Sequence, residues 1–506
     1  MQRTGEKNHL QVLIIGAGAT GLTLAIELAR RNINIRIIDH STEHPIGSRA
    51  KGLQPRSLEV LADLGVAEEL IAAGTTDVIF RRFNGKELLG DVKPHIIARP
   101  DTRYTKGVLL PQWKVEEVLR TKLLSFGVEV ECATELINFS QREDQVVTTL
   151  KSLYGEETVN CSYMVGCDGG KSKVRKALGI KFEGETHEEE RAFVGDVEVD
   201  GLTPDAWHIW MHPEMGFGFS LCPFACSPSW QVQTMALPDA EGHLAEPDLE
   251  TFRRLFAERT GMEGVTLKNA TWASLYRVNI RMADRFCSGR VFIAGDAAHV
   301  HSIAGGLGMN TGIQDAYNLG WKLAHVLNDH ADERLLDTYE EERLPIAAWT
   351  LNISSERHRV VADSIKKGGD GSLHNIATKD TTQLNLNYRY SSLSSNSNDE
   401  QTGIQAGDRA PDSLLPNGSW LSDVYRGTHF TVLRSGADRP EEIWTAFFGD
   451  KVRELHLPGD LFPLFGRTSG NYVVRPDGYI GLVTNVGDEA AVYDYLSKFL
   501  LSGSGS

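Results

Sequence analysis

Short apolar runs separated by amphipathic stretches set the rhythm of the first third of the chain. Residues 12–15, Val-Leu-Ile-Ile, are apolar throughout; a glycine-rich turn follows, then 22–31 with helical periodicity, then a second apolar run at 33–38. Strand, tight turn, helix and strand in that order predict a βαβ unit. Strand-length runs recur at 108–110, 128–132, 146–150 and 163–167, and 115–126 reads as a helix. From 182 the texture changes to strand-like pieces rich in Trp, Phe and Pro, among them 206–211 and 216–223, which predicts an inserted β-sheet.

The first pattern returns at 291–294, where an apolar strand runs into a glycine-rich loop and a long helix at 311–327, so a distant segment completes the opening unit. A charged helix at 337–361 precedes a polar stretch whose core, SSLSSNSNDEQTG, predicts a linker. The last unit has strands at 430–433, 472–474 and 479–483, a Pro-Asp-Gly turn at 476–478 and a closing helix at 488–501; the Ser-Gly tail predicts flexibility. The predicted fold class is α/β, with a Rossmann-like unit in two parts (1–181 and 277–365, the second carrying the long helix). A β-sheet unit at 182–276, a linker at 366–405 and an α/β unit at 406–501 complete it.

Composition narrows the partners. A chain of 506 residues exceeds one compact core and leaves volume to bury a ligand. No apolar run reaches the length of a membrane span, and the first ten residues lack a signal-peptide core, so a cytoplasmic location is expected. Fifty-two basic against sixty-eight acidic residues give a net charge of -16, which repels nucleic acid. Six sparse cysteines point to reduced, buried thiols, and Cys222 and Cys226 have no second ligand pair for a metal. No metal is expected.

The candidate chemistry begins at Gly16-Ala17-Gly18-Ala19-Thr20-Gly21, which fits the dinucleotide fingerprint. Gly16 permits the turn, Gly18 lets a pyrophosphate approach the backbone, and Gly21 lets the helix pack on the strand with its N-terminus toward the phosphates. Asp39, followed by His40, ends the second strand, where a carboxylate accepts bonds from ribose hydroxyls. This fingerprint serves NAD and FAD alike.

Two later segments separate them by resemblance. Gly295-Asp296-Ala-Ala-His299, after the strand at 291–294, resembles the GD motif of FAD-dependent monooxygenases; Asp168-Gly169, followed by Ser172, Val174 and Arg175, resembles their DG motif. With the fingerprint, residues 10 to 350 resemble the class A flavoprotein aromatic hydroxylases typified by para-hydroxybenzoate hydroxylase. The unit at 406–501 resembles the thioredoxin-like domain of the phenol- and polyketide-hydroxylase branch, but without a cysteine, which excludes a redox role for it.

The resemblance implies FAD, with Asp296 on the ribityl chain, Arg49 on the pyrophosphate, Gln112 against the cofactor, and Asp168 near the cleft shared with NADPH or NADH. For Asp168 a turn capping the next helix is the alternative, and for Gln112 a helix cap. Gly306, Gly308, Met309 and Asn310 would pass beside the isoalloxazine, the following helix aiming its positive end at the ring edge. His299 and His301 are expected to be structural. Where many hydroxylases have two prolines this chain has Ser302-Ile303, and Leu307 replaces a polar residue, so substrate placement beside the flavin is expected to differ.

The implied reaction is hydroxylation of an aromatic or phenolic small molecule, of the polycyclic polyketide type, by NAD(P)H and O2 through a flavin C4a-hydroperoxide. Baeyer–Villiger insertion and a non-redox FAD protein are the alternatives. Trp207, Trp210, Phe217 and Phe219 in the inserted sheet, with Ile303, are candidate substrate contacts, and the aromatic residues are equally candidates for core. No catalytic base is assigned, and the protein is expected to be a monomer or homodimer.

Overall fold

The computed structural model describes residues 9–96, 98–212, 216–238, 241–301, 306–366, 381–397, 403–435, 443–457, 461–466 and 469–500, and within these not the side chains of 187–190, 212, 216–217, 354–355, 357–366, 435 or 462–463. Ile303 with its loop, the Phe217 side chain and the Ser-Gly tail lie outside the described residues.

The first layer is a sheet in the order Cys287–Ser288, Val291–Ile293, Gly155–Gly166, Leu10–Ile15, Ile35–Ile38, Val130–Glu131, with the strands Glu135–Gln141 and Val146–Ser152 extending it beside Gly155–Gly166. Its central strands pair in parallel. Parallel strands are covered on both faces and therefore read as unbroken apolar runs, which is why 12–15 lacks alternation. The helices Ala19–Ala29 and Gly308–Leu327 pack together on it. Gly320 lies against Glu27, and a Cβ there would come within 2.6 Å of that side chain.

The second sheet runs His299–Val300, Thr266–Ala283, Phe182–Asp200, Ser229–Met235, Gly216–Pro223, Trp207–His212, Phe80–Asn84, Glu87–Val92. It draws in the hairpin 80–92 from the opening part of the chain, and its long strand continues to Ala283, beyond the expected limit at 276. The helix Leu249–Thr260 lays Phe252, Leu255 and Phe256 on one face, against Phe193, Val197, Trp210, Phe219, Trp230 and Val232.

A third sheet, Ser395–Asn396, Ile480–Thr484, Gly470–Val474, Phe430–Ser435, Val452–His456, forms the C-terminal unit. Its seam with the first layer is charged and buried. Arg475 grips both oxygens of Glu342 at 2.6 and 3.0 Å, Lys322 donates to Glu342 at 2.7 Å, and Asp477 accepts from Trp321 Nε1 at 3.2 Å. All of these side chains are buried.

The expectation of a linker across 366–405 is corrected here for residues 381–397; 367–380 and 398–402 lie outside the described residues. Thr381, Gln383, Leu386, Tyr388 and Ser391 are buried. Gln383 bonds Gln314 and Thr311, Tyr388 accepts from Arg343 at 2.8 Å, and Ser391 donates to Glu342 at 2.8 Å. The stretch is polar because it satisfies buried charge, not because it is solvated.

Glu342→Ala leaves Arg475 and Lys322 buried without their counter-charge, and removing one partner from such a network costs about 3–5 kcal/mol. Chemical denaturation of the variant should show a loss of that order, whereas Glu341→Ala, part-exposed on the same helix Asp337–Lys366, should change stability by less than about 1 kcal/mol.

Candidate cofactor and substrate site

The glycine turn separates what the chain needs for itself from what it leaves open. Gly16 has φ +102°, and a Cβ there would lie 2.4 Å from the Cys167 carbonyl oxygen; at Gly21 it would lie 2.0 Å from the Gly16 oxygen. Both glycines are demanded by packing. Gly18 is different: its nearest neighbour would be Glu116 Oε1 at 3.7 Å, and it starts the helix Ala19–Ala29 without a side-chain cap. An uncapped helix start with open space before it fits a pyrophosphate. Asp39 braces this turn, accepting from Ala17 N and Ser41 N, each at 2.9 Å, while His40 is exposed. Thr20 packs its hydroxyl against Gly295 and Gly312, so it joins the fingerprint to the GD turn rather than facing outward.

Asp296 is solvent-accessible yet lies deep in the protein, as a group at the floor of a cleft does. Burial raises its carboxyl above the ordinary range, and Asp315 adds to this, while His299 and Arg49 oppose it. Arg49 itself is exposed and within electrostatic reach of Asp296, so the two predicted cofactor residues face one region. A carboxylate that accepts hydroxyl bonds and an arginine fork suit the ribityl and phosphate portions of FAD.

Below them, Asp315 accepts from Gly295 N at 3.1 Å, His299 Nε2 at 2.7 Å and Arg343 Nε at 2.7 Å. His299 stacks on His301 and is structural in this arrangement. Arg175 donates to the carbonyls of Gly170 and Ala297, both at 2.9 Å, clamping the DG loop to the GD loop. Asp168 caps the short helix Lys173–Ala177, accepting from Ser172 Oγ at 2.5 Å, Lys173 N at 2.7 Å and Val174 N at 3.1 Å. Of its two readings, the capping one has the contacts.

The segment 306–310 is held to the strand Lys51–Leu53 through Asn310. Its Oδ1 accepts from Gln54 N at 2.8 Å, and its Nδ2 donates to Gly52 O at 3.1 Å and Gly306 O at 2.8 Å. With that side chain engaged, the helix Gly308–Leu327 offers a cofactor its uncapped N-terminus, where Gly308 and Met309 are part-exposed. Gln112 ties the same strand, accepting from Ala50 N at 3.2 Å and donating to Glu116 at 2.7 Å.

The face of the second sheet opposite its helix packs on the segment 48–51. Trp207 and Met211 are on this face, whereas Trp210 and Phe219 are fully buried on the other, each edge-on to Phe256. Those two predicted substrate contacts are therefore core, because strand alternation turns them toward the helix. Trp272 and Tyr276 join the facing surface; both are part-exposed, and Tyr276 OH bonds the His301 carbonyl at 3.2 Å. The Trp-Ala-Ser-Leu-Tyr alternation at 272–276 is the signal that marks them.

Asp315→Asn should lower stability by about 3–5 kcal/mol by leaving Arg343 unpaired. Burial raises the Asp315 carboxyl, but Arg343 and His299 outweigh it and hold it at about 2. A depressed carboxyl contributes stability above its unfolded value near 4 and loses it as pH falls through about 2. Denaturation across that window should show a decline of about 2 kcal/mol from this group, absent in Asp315→Asn.

Residues 9–354 match the family described as FAD binding domain. A flavin-dependent monooxygenase from Mycobacteroides abscessus is 42% identical, over 97% of this chain and 100% of its own. Pentachlorophenol 4-monooxygenase from Sphingobium chlorophenolicum is 32% identical, over 96% of this chain and 91% of its own. Among solved structures, a ternary complex of aklavinone-11 hydroxylase with FAD and aklavinone is similar with a TM-score of 0.81 at 26% identity, covering 98% of this chain and 99% of that one. With the open Gly18 turn and the cleft carboxylate of Asp296 already matching the cofactor, the chain belongs to the FAD binding domain family and is an FAD-dependent monooxygenase of the aromatic hydroxylase class.

Proposed function

We propose that this enzyme hydroxylates a phenolic, multi-ring small molecule with NAD(P)H and O2, bound between the Gly306–Asn310 segment and the second sheet. The observation that carries the reading is the face of the second sheet bearing Trp207, Trp272 and Tyr276, joined to the opening unit where Tyr276 OH bonds the His301 carbonyl. The relatives named for pentachlorophenol and the polyketide aklavinone support a phenolic, multi-ring substrate. Their activities do not favour ketone insertion.

FAD, once reduced by the nicotinamide, supplies the activated oxygen. The chain's own contribution is placement: Gly18 and the helix start at Ala19 take the pyrophosphate, Arg49 adds a fork of donors, Asp39 takes the ribose, and Asp296 takes the ribityl hydroxyls. The N-terminus of the helix Gly308–Leu327 favours negative charge at the ring edge. The sheet excludes water from the reacting face. The C-terminal unit, a parallel strand–helix–strand followed by an antiparallel pair and a closing helix, supports a thioredoxin-like scaffold without redox chemistry. Six unpaired cysteines support a reducing compartment such as the cytoplasm.

Incubation with a hydroxyanthraquinone, NADPH and labelled oxygen gas should yield product carrying one labelled atom by mass spectrometry; consumption of NADPH with release of hydrogen peroxide alone, across a panel of phenols, would count against the reading. Gly18→Val should fold, since its site is open to the protein, yet retain little flavin by absorbance. Equal flavin content in that variant and the parent would remove Gly18 from the phosphate site.

A further inference from the structure

One row of side chains crosses the second sheet on the face opposite its helix, its polar members buried beneath the segment 48–51. Trp272, Asp196, Gln231 and Cys222 stand on four neighbouring strands in direct lateral register, and Trp207 occupies the adjoining position on the fifth. Lys51 reaches onto this row from the other unit. Its Nζ donates to Gln231 Oε1 at 2.5 Å and sits 3.8 Å above the Trp207 ring. The loop before it is fastened to the same row: Ser48 N donates to Asp196 Oδ2 at 2.8 Å, Gln231 Nε2 donates to Ser48 O, and Gly47 lies flat on the Trp272 ring.

The position of Lys51 is therefore fixed from both sides. Its neighbour Gly52 is the residue whose carbonyl holds Asn310. Lys51 thus stands at the join between the strand that holds Asn310 and the second sheet. The residue is partly accessible although its ammonium lies deep in the protein. An ammonium carries three donors, and the described contacts give it one hydrogen bond and one ring face. Neither contact is an anion within bonding distance. A lysine serving only to join the two units would gain more from a direct carboxylate, and Asp196 of the same row spends its Oδ2 on Ser48 N instead.

We propose that Lys51 is the cation that receives the ionised hydroxyl of a phenolic substrate on the sheet side of the flavin cleft, and so selects phenols over their ethers. The inference rests on the phenolic reading given above. The substrate gives up its hydroxyl proton to solvent on binding, and the phenolate oxygen takes one of the remaining ammonium donors. An ionised hydroxyl pushes electron density into the ring, which suits attack on an electrophilic oxygen. Deep burial lowers the Lys51 ammonium to about 8, with Cys222 and Asp196 acting in the opposite sense. It is therefore still charged near neutrality and gains from an anion. Of the groups facing it, burial raises Asp196 to about 6 and Cys222 to about 11, so the thiol stays neutral across the range in which phenols are bound.

The test uses the FAD-loaded enzyme and alizarin, a dihydroxyanthraquinone whose visible absorption changes on ionisation, with its dimethyl ether as a partner that cannot ionise. Parent enzyme should move the ionisation midpoint of bound alizarin about 1–3 pH units lower than in solution, as an opposite charge within a few ångströms does. It should bind alizarin at least about tenfold more tightly than the ether, and Lys51→Met should remove both effects with flavin content unchanged. Lys51→Arg should keep the shift in midpoint, since it keeps the charge. A Lys51→Met enzyme with the parent's midpoint and preference would overturn the proposal, as would loss of flavin from both variants, which would assign Lys51 to the cofactor. Labelled-oxygen incorporation separates the two levels: a parent that neither binds nor oxygenates any phenol sinks the phenolic reading and this inference together, whereas a parent and Lys51→Met that oxygenate alizarin alike sink this inference alone.

Discussion

Asp315 is the point on which the described centre of the molecule turns. It lies in the middle of the helix Gly308–Leu327, carries a full charge without solvent exposure, and spends that charge on three donors from different places. Gly295 N fixes the turn that aims Asp296 into the cleft, His299 fixes the strand returning to the second sheet, and Arg343 fixes the next long helix. A buried carboxylate is tolerable only when its lone pairs are met, so these elements are specified together or not at all. Burial of one acid thereby sets the relation of the flavin-facing turn to the helix whose N-terminus borders it.

The same economy runs outward through Arg343. Its guanidinium also reaches the Thr311 carbonyl and the Tyr388 hydroxyl, and Tyr388 lies against Tyr479 of the C-terminal unit with ring centroids 4.2 Å apart. Glu342, one residue before it, meets Arg475 and Lys322. The C-terminal unit is thus docked by buried charges, and the polar stretch 381–397 runs through the seam because it supplies hydroxyls and amides where those charges need partners. A partial shift that left any of these ions buried without its partner would be costly, so the seam resists it. The cysteine-free unit is accordingly fixed to the helix Gly308–Leu327 and to Glu342.

Substrate recognition is organised differently. The cofactor side is built mainly from backbone and short polar groups, whereas the opposing wall is an aromatic sheet face crossed by one row of polar side chains. The two walls are joined at Asn310 with Gly52 and at Ser48 with Asp196, leaving the cleft between fixed margins. Lys51 is unusual in belonging to the cofactor side by its strand and to the substrate side by its contacts.

The sequence by itself determined the cofactor half. Gly16, Gly18 and Gly21 obey steric rules within a few residues of each other, the apolar run at 12–15 announces a strand covered on both faces, and the Asp296 and Asp168 motifs keep a fixed local relation to their strands. Such features are legible because their causes are local. The tertiary structure alone decided what depends on a second layer. Alternation in 207–211 shows that Trp207 and Trp210 point opposite ways, but only the helix Leu249–Thr260, lying on one face, determines that Trp210 is core and Trp207 is not. A polar composition at 381–397 looks like solvated chain until buried charges elsewhere are found to need it. Lys51 carries no pattern of its own, since its meaning comes from Gln231 and Trp207, far along the chain, and only folding brings them to it.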